Sequence, residues 1–366
     1  NPSMSDASSK SPRIFDQLAS VDLHTIPWAW AVKKVPPKAK YRLLNRLFLL
    51  WFGFMLACVW CLRSLGLDRT GGSLSSRATM LIFRSISKLY PRLAIGNIER
   101  FRRSVLRIIA PSQLDDLVAV DSLQTIDPMT KPEYVWIANQ SLTPEHFRRY
   151  VFYVHGGGFA KGDLAAFHHV CSLMSRELDA LICFPVYPLC PESKIPDIVA
   201  RLLDSYRRVA QEVPEWRPVV MADSAGGLLA ALMLQAMERE NLSSPNALVL
   251  LSPLLDVQLS SASIVDNQDS DPIVGVDLIR WLCDLAKAGV ELEEISVDPA
   301  ALRHFPRTYI VASEDEIVRD DSKWLQTALS QSNVPNEAVY WPGICHAFPL
   351  LFDHLPEARK AIADIR

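Results

Sequence analysis

The chain has 366 residues, 49% of them hydrophobic and 22% charged. That is enough apolar material for a sizeable core and excludes a disordered or fibrous chain. A net charge of −3 supplies no basic footprint for nucleic acid.

In chain order, residues 1–46 are polar and basic, and the first twenty are expected to be disordered. Residues 47–62 read LFLLWFGFMLACVWCL, sixteen residues without a charge. Spanning a bilayer takes about 20, with a lower limit near 17. Arg46 and Arg63 bracket the run and could snorkel, and Trp51 and Trp60 suit the interfaces. The run is predicted to be a membrane anchor helix; a helix lying on the membrane or buried in a cap is the alternative. Lys33, Lys34, Lys38, Lys40, Arg42 and Arg46 precede it, against Arg63, Arg69 and Arg77 after it. If it spans, this bias keeps the N-terminus cytoplasmic and sends the remainder into the lumen of the endoplasmic reticulum. The N-x-S sequons at Asn139 and Asn241 are compatible with that side. The run lies too far along the chain for a simple removed signal peptide.

Residues 63–112, arginine-rich and helical in pattern, are expected to contribute to a cap. From 113 to 366, short apolar runs alternate with helical ones. Strands are predicted near 115–121, 133–138, 149–154, 180–186, 218–222, 247–251, 307–312 and 337–341. Helices are predicted near 164–178, 196–212, 225–239, 276–287, 321–331 and 355–365. The alternation implies an α/β fold: a mostly parallel central sheet of about eight strands, helices on both faces. Residues 256–300 form a long insertion between two strands and read as a second part of the cap. The seven cysteines (Cys58, Cys61, Cys171, Cys183, Cys190, Cys283, Cys345) lack paired metal-ligand spacing, and no dinucleotide fingerprint occurs. Neither metal nor cofactor is expected.

Two motifs carry chemistry. At 219–227, VVMADSAGG ends a strand and opens a helix with small residues. This fits a G-x-S-x-G nucleophile elbow with Ala222 in place of the first glycine, and makes Ser224 the candidate nucleophile. At 152–162, FYVHGGGFAKG puts three glycines after a strand. An acyl transfer passes through an oxyanion that needs preorganised donors. The N–H groups of Gly157, Gly158 and Ala225 are candidates for that role, and side chains at 157 and 158 would obstruct the acyl group. His155 is read as a structural loop residue.

A serine hydroxyl needs a base. His346, in WPGICHAFPL, follows the last predicted strand; His304 and His354 are read as surface or packing histidines. An acid must orient that base. TYIVASEDEIVRDDS offers Glu314, Asp315, Glu316, Asp320 and Asp321, and spacing alone does not choose among them.

From about residue 145 onward, these segments together resemble the hormone-sensitive lipase family of α/β-hydrolases. The likeness rests on H-G-G-G from His155 to Gly158 and D-S-A-G-G from Asp223 to Gly227. Y-x-L-x-P-E from Tyr187 to Glu192, then Pro196, L-S-P at 251–253, S-D-P at 270–272 and H-x-F at 346–348 also fit. In that family the acid stands four residues before an aspartate, a step matched by Glu316 and Asp320. The resemblance therefore implies Glu316 as the acid, with Asp315 as its rival. A membrane helix ahead of such a domain is similar to the microsomal branch of arylacetamide deacetylases, neutral cholesterol ester hydrolases and fungal sterol deacetylases. That likeness implies a hydrophobic, acetylated ester as substrate. An acyl transferase, lactonase or cyclase using the same serine is the alternative; a non-catalytic receptor on the same fold is a distant third. Oligomeric state is not legible.

Overall fold

The structure is a computed structural model. It describes residues 32–33, 95–103, 117–121, 133–139, 149–214, 217–351 and 355–366. The apolar run 47–62, nearly all of the expected cap segment 63–112, and His354 lie outside the described residues. Among the described residues, no helix is long and apolar enough to cross a membrane.

Nine strands make one sheet among the described residues: β1 (Val32–Lys33), β2 (Leu117–Asp121), β3 (Tyr134–Asn139), β4 (Tyr150–Val154), β5 (Leu181–Pro185), β6 (Val219–Asp223), β7 (Ala247–Leu251), β8 (Thr308–Ser313) and β9 (Asn336–Trp341). Their spatial order is β1-β2-β3-β5-β4-β6-β7-β8-β9. The pairings β1–β2, β2–β3 and β3–β5 are antiparallel, and the remainder are parallel. All eight expected strands are present. The short β1 is additional, and it draws residues expected to stand apart into the sheet.

Strands β3 to β8 are buried along their whole length. That explains their near-continuous runs of apolar residues, since both faces are covered. Alternate residues go to opposite sides. Phe152, Val154, Val220, Ala222, Leu248, Leu250 and Ile310 share one core. It is covered by helices Ile195–Glu212, Ala225–Arg239 and Arg319–Gln331. Val151, Tyr153, Val219, Met221, Val249 and Val311 share the other, under helices Leu164–Leu178 and Pro356–Ile365. The first of these helices starts on Asp163, whose carboxylate caps Ala166 N–H at 2.8 Å.

The 256–300 insertion holds a short helix, Ser263–Asp266, and a longer one, Val276–Lys287. The longer helix buries Leu278 and Leu282 with Phe101 and Ala160. Phe101 belongs to the helix Ile98–Arg103 and meets Trp281 edge to face at 5.7 Å. Arg102 donates to the carbonyls of Ala160 and Cys190 and pairs with Glu192. The insertion and the N-terminal segment thus meet above the glycine loop. The five described cysteines are buried free thiols. Asn139 is also buried, its amide bonded to Ser172 Oγ at 3.0 Å, so of the two sequons only Asn241 offers an accessible acceptor.

Candidate active site

The sheet places the two motifs side by side. Strand β4 has β5 on one side and β6 on the other. Chain winding reverses there, opening a crevice at the strands' carboxyl ends. Val154 stands opposite Ala222 in the register, so the residues that follow each strand emerge as neighbours.

Ser224 joins β6 to the helix Ala225–Arg239 with φ +50° and ψ −126°. A non-glycine residue with such angles stores strain of about 1–3 kcal/mol, and the surroundings must hold it there. Its N–H donates to Leu251 O at 3.0 Å, and its carbonyl accepts from Gly227 and Leu254 at 2.9 Å each. A Cβ on Gly226 would fall 2.2 Å from Val154 O, so this position admits glycine alone without a backbone shift. Ala222, the departure from the motif, is fully buried in the core, where its methyl is accommodated.

His346 follows β9 and reaches back to the serine. Its Nε2 lies 2.8 Å from Ser224 Oγ, and its Nδ1 lies 2.8 Å from Glu316 Oε2. Glu316 is fully buried, and its Oε1 accepts from Ser313 N–H at 3.2 Å. Asp315, the rival acid, accepts instead from Gly343 N–H, and the structure does not bring it to His346. Glu314 pairs with Lys323, Asp320 with Arg319, and Asp321 with the N–H groups of Leu255 and Asp256. The loop carrying His346 is tied down by Ala347 N–H to Ser252 Oγ at 3.0 Å and Ser313 Oγ to Ile344 O at 2.7 Å.

Burial opposes a charged imidazole. The hydrogen bond and charge of Glu316, with the charges of Asp271 and Asp223, outweigh it and raise the His346 pKa above 6.5. His155 shows the opposite balance. It is stacked on Tyr187 and Phe184, and burial lowers its pKa to about 4 despite its bond to Gly156 O. It is a neutral wedge under the loop.

The glycine loop lies against the serine. A Cβ on Gly156 would sit 2.3 Å from Asp223 Oδ2 and 2.9 Å from Ser224 Cβ. Asp223 holds the loop, its Oδ1 accepting from Gly156 N–H at 2.8 Å and Tyr153 OH at 2.6 Å. Gly157 (φ +111°) and Gly158 (φ +62°) then turn the chain, and Lys161 N–H closes the turn on Gly157 O at 3.0 Å. Among the described residues, the N–H groups of Gly157, Gly158 and Ala225 have no hydrogen-bond partner. Sequence reasoning missed Asp223, Tyr153 and Asp271 as parts of this site, because their partners are 46 to 70 residues away. Among the described residues, no cluster of His, Cys, Asp or Glu could hold a metal ion.

A family model described as alpha/beta hydrolase fold matches residues 151–350, more than half of the chain. An esterase of Acinetobacter venetianus is 26% identical over 59% of this chain and 72% of its own length. An acetyl-hydrolase of Streptomyces hygroscopicus is 28% identical over 58% and 73%. A crystal structure of an esterase from the bacterial hormone-sensitive lipase family superposes with a TM-score of 0.70 at 23% identity, covering 81% of this chain and 97% of that one. With the elbow, the glycine loop and the imidazole already in place, the chain belongs to the α/β-hydrolase fold family.

Proposed function

We propose that the protein is a serine carboxylic-ester hydrolase that removes short, acetyl-like acyl groups from a hydrophobic small molecule or lipid. The observation that carries this reading is the relay from Ser224 Oγ through His346 to Glu316, two contacts of 2.8 Å each. His346 takes the serine proton as Oγ bonds to the ester carbonyl carbon. The oxyanion is held by the N–H groups of Gly157, Gly158 and Ala225. His346 then protonates the departing alcohol, leaving an acyl group on Ser224. Water, deprotonated by His346, attacks that acyl group, and the acid leaves as Ser224 regains its proton. Glu316 keeps Nδ1 protonated and stabilises the imidazolium.

Short acyl esters are supported by the tight cover over the glycine loop, where a Cβ on Gly158 would lie 2.4 Å from Leu282 Cδ1. The apolar cluster of Phe101, Trp281 and Leu278, packed on Ala160 beside the glycine loop, supports a lipophilic alcohol portion. The names of the Acinetobacter and Streptomyces relatives agree with ester and acetyl chemistry. The test is turnover of p-nitrophenyl acetate by the parent and by Ser224→Ala. The variant should be inactive and folded; equal rates would remove the mechanism.

We further propose that residues 47–62 hold the enzyme at a membrane, in the endoplasmic reticulum. Sixteen uncharged residues between Arg46 and Arg63 support attachment. The pairing of Val32 and Lys33 with Val120 and Ala119 bears on the geometry. A single span through 47–62 would separate these partners by a bilayer. Their pairing favours a segment lying in one leaflet over a span with a cytoplasmic N-terminus. Protease protection of an N-terminal tag in sealed microsomes decides: a tag and catalytic domain on the same side support the surface mode, and opposite sides support the span.

A further inference from the structure

Asp271 lies in the 256–300 insertion, far in sequence from every residue of the relay. It is buried, yet its carboxylate has three backbone donors. Oδ1 accepts from Ile273 N–H at 2.9 Å and Val274 N–H at 3.2 Å, immediately before the helix Val276–Lys287. Oδ2 accepts from Ile317 N–H at 3.3 Å, the residue after Glu316. Asn267, four residues earlier, donates to the carbonyls of Glu316 (2.8 Å) and Glu314 (3.0 Å). Both polar groups of the peptide unit that follows Glu316, and the carbonyl of Glu314, are therefore held by the insertion.

Resting on the hydrolase reading above, we propose that Asp271 is a positioning residue. It fixes the turn that carries Glu316 and supplies a second negative charge that stabilises the His346 imidazolium formed during catalysis. The same carboxylate also seats the start of the helix that covers Gly158, so relay geometry and cover are set together.

The electrostatics agree. Burial pushes Asp271 up to about 6, with the His346 charge opposing the rise. Asp271 in turn follows Glu316 among the charges that raise His346. The titratable groups that act on the imidazole are Glu316 from the turn after β8, Asp271 from the insertion and Asp223 from the end of β6. Above about pH 6 Asp271 is ionised, so its charge is present where His346 loses its proton.

The test compares the parent, Asp271→Asn and Asp271→Glu with p-nitrophenyl acetate from pH 5 to 9. Asp271→Asn removes the charge with little change of volume. It should lower kcat about 10- to 100-fold, by analogy with the loss of a carboxylate that orients a metal-bound histidine, with KM nearly unchanged. Its acid limb in kcat/KM should move down by about one pH unit, because an acidic neighbour no longer favours the imidazolium. Asp271→Glu keeps the charge and should keep the parent limb, whatever its rate. Should Asp271→Asn not fold, Asp271→Ser carries the same comparison. A neutral variant whose limb coincides with the parent's overturns the proposal, as does a Glu variant shifted as far as Asn. A parent without esterase activity overturns the functional reading itself, which is a separate outcome.

Discussion

Gly157 and Gly158 are adjacent, yet alanine should fail at each for a different reason. At Gly157 a Cβ would lie 1.9 Å from the Lys161 carbonyl oxygen. That oxygen belongs to the backbone of the turn that Gly157 O itself closes. The turn would have to open, and φ +111° adds strain of about 1–3 kcal/mol for any side chain. At Gly158, φ +62° lies in the left-handed region, at about 1–2 kcal/mol for alanine. There the three atoms nearest the Cβ all belong to the Leu282 side chain, with Cδ1 at 2.4 Å, and a leucine tip can move. Losing one oxyanion donor costs about 10²–10³ in kcat, or about 2.7–4 kcal/mol. Gly157→Ala should therefore lose at least that factor, and no side-chain change should recover it. Gly158→Ala should lose less, and Leu282→Ala in the same chain should restore part of the loss. The assay is kcat on p-nitrophenyl acetate, with melting curves as a control, because Leu282→Ala alone should cost about 2–5 kcal/mol of stability. Equal rescue of both alanine variants, or Gly157→Ala at the parent rate, would refute the reasoning.

Replacing Glu316 by Gln should lower kcat by about 10⁴, since the amide no longer holds the right tautomer. Asp315→Asn should leave kcat near the parent's, because Asp315 is occupied by Gly343 N–H; steady-state kinetics on the pair separates them. The base must be neutral to accept the serine proton, so activity is lost as pH falls through the His346 pKa. That pKa is raised, which puts the acid limb of kcat/KM above 6.5; a limb below 6 would contradict the carboxylate cluster. Arg102→Ala removes bonds to Ala160 O, Cys190 O and Glu192 that tie the N-terminal segment to the glycine loop. Urea unfolding should show a loss of about 1–3 kcal/mol, and KM should rise as the cover over Gly158 loosens.

The sheet was legible because its strands are short, buried runs bounded by turn residues. The helices 164–178, 225–239 and 276–287 match their predicted limits. Ser224 and His346 were legible because an elbow needs small neighbours and a base follows the last strand. The choice between Glu316 and Asp315 was not local. It depends on which carboxylate the turn after β8 directs inward, and that turn is fixed by Asn267 and Asp271, 46 to 49 residues earlier in the chain. The Asp223–Tyr153 bond crosses from β6 to β4 and has no sequence signal of its own. Strand β1 was missed because two residues in a basic stretch carry no periodicity. The Asn139 sequon misled in the other direction: the triplet is present, but the asparagine closes a buried strand.

Covalent labelling of Ser224 is the most direct probe of the arrangement as a whole. A fluorophosphonate should modify the folded protein at Ser224, identified by peptide mass spectrometry, with labelling abolished in Ser224→Ala and strongly slowed in His346→Ala. A folded parent that takes up no label, or takes it up at another serine, would contradict the account.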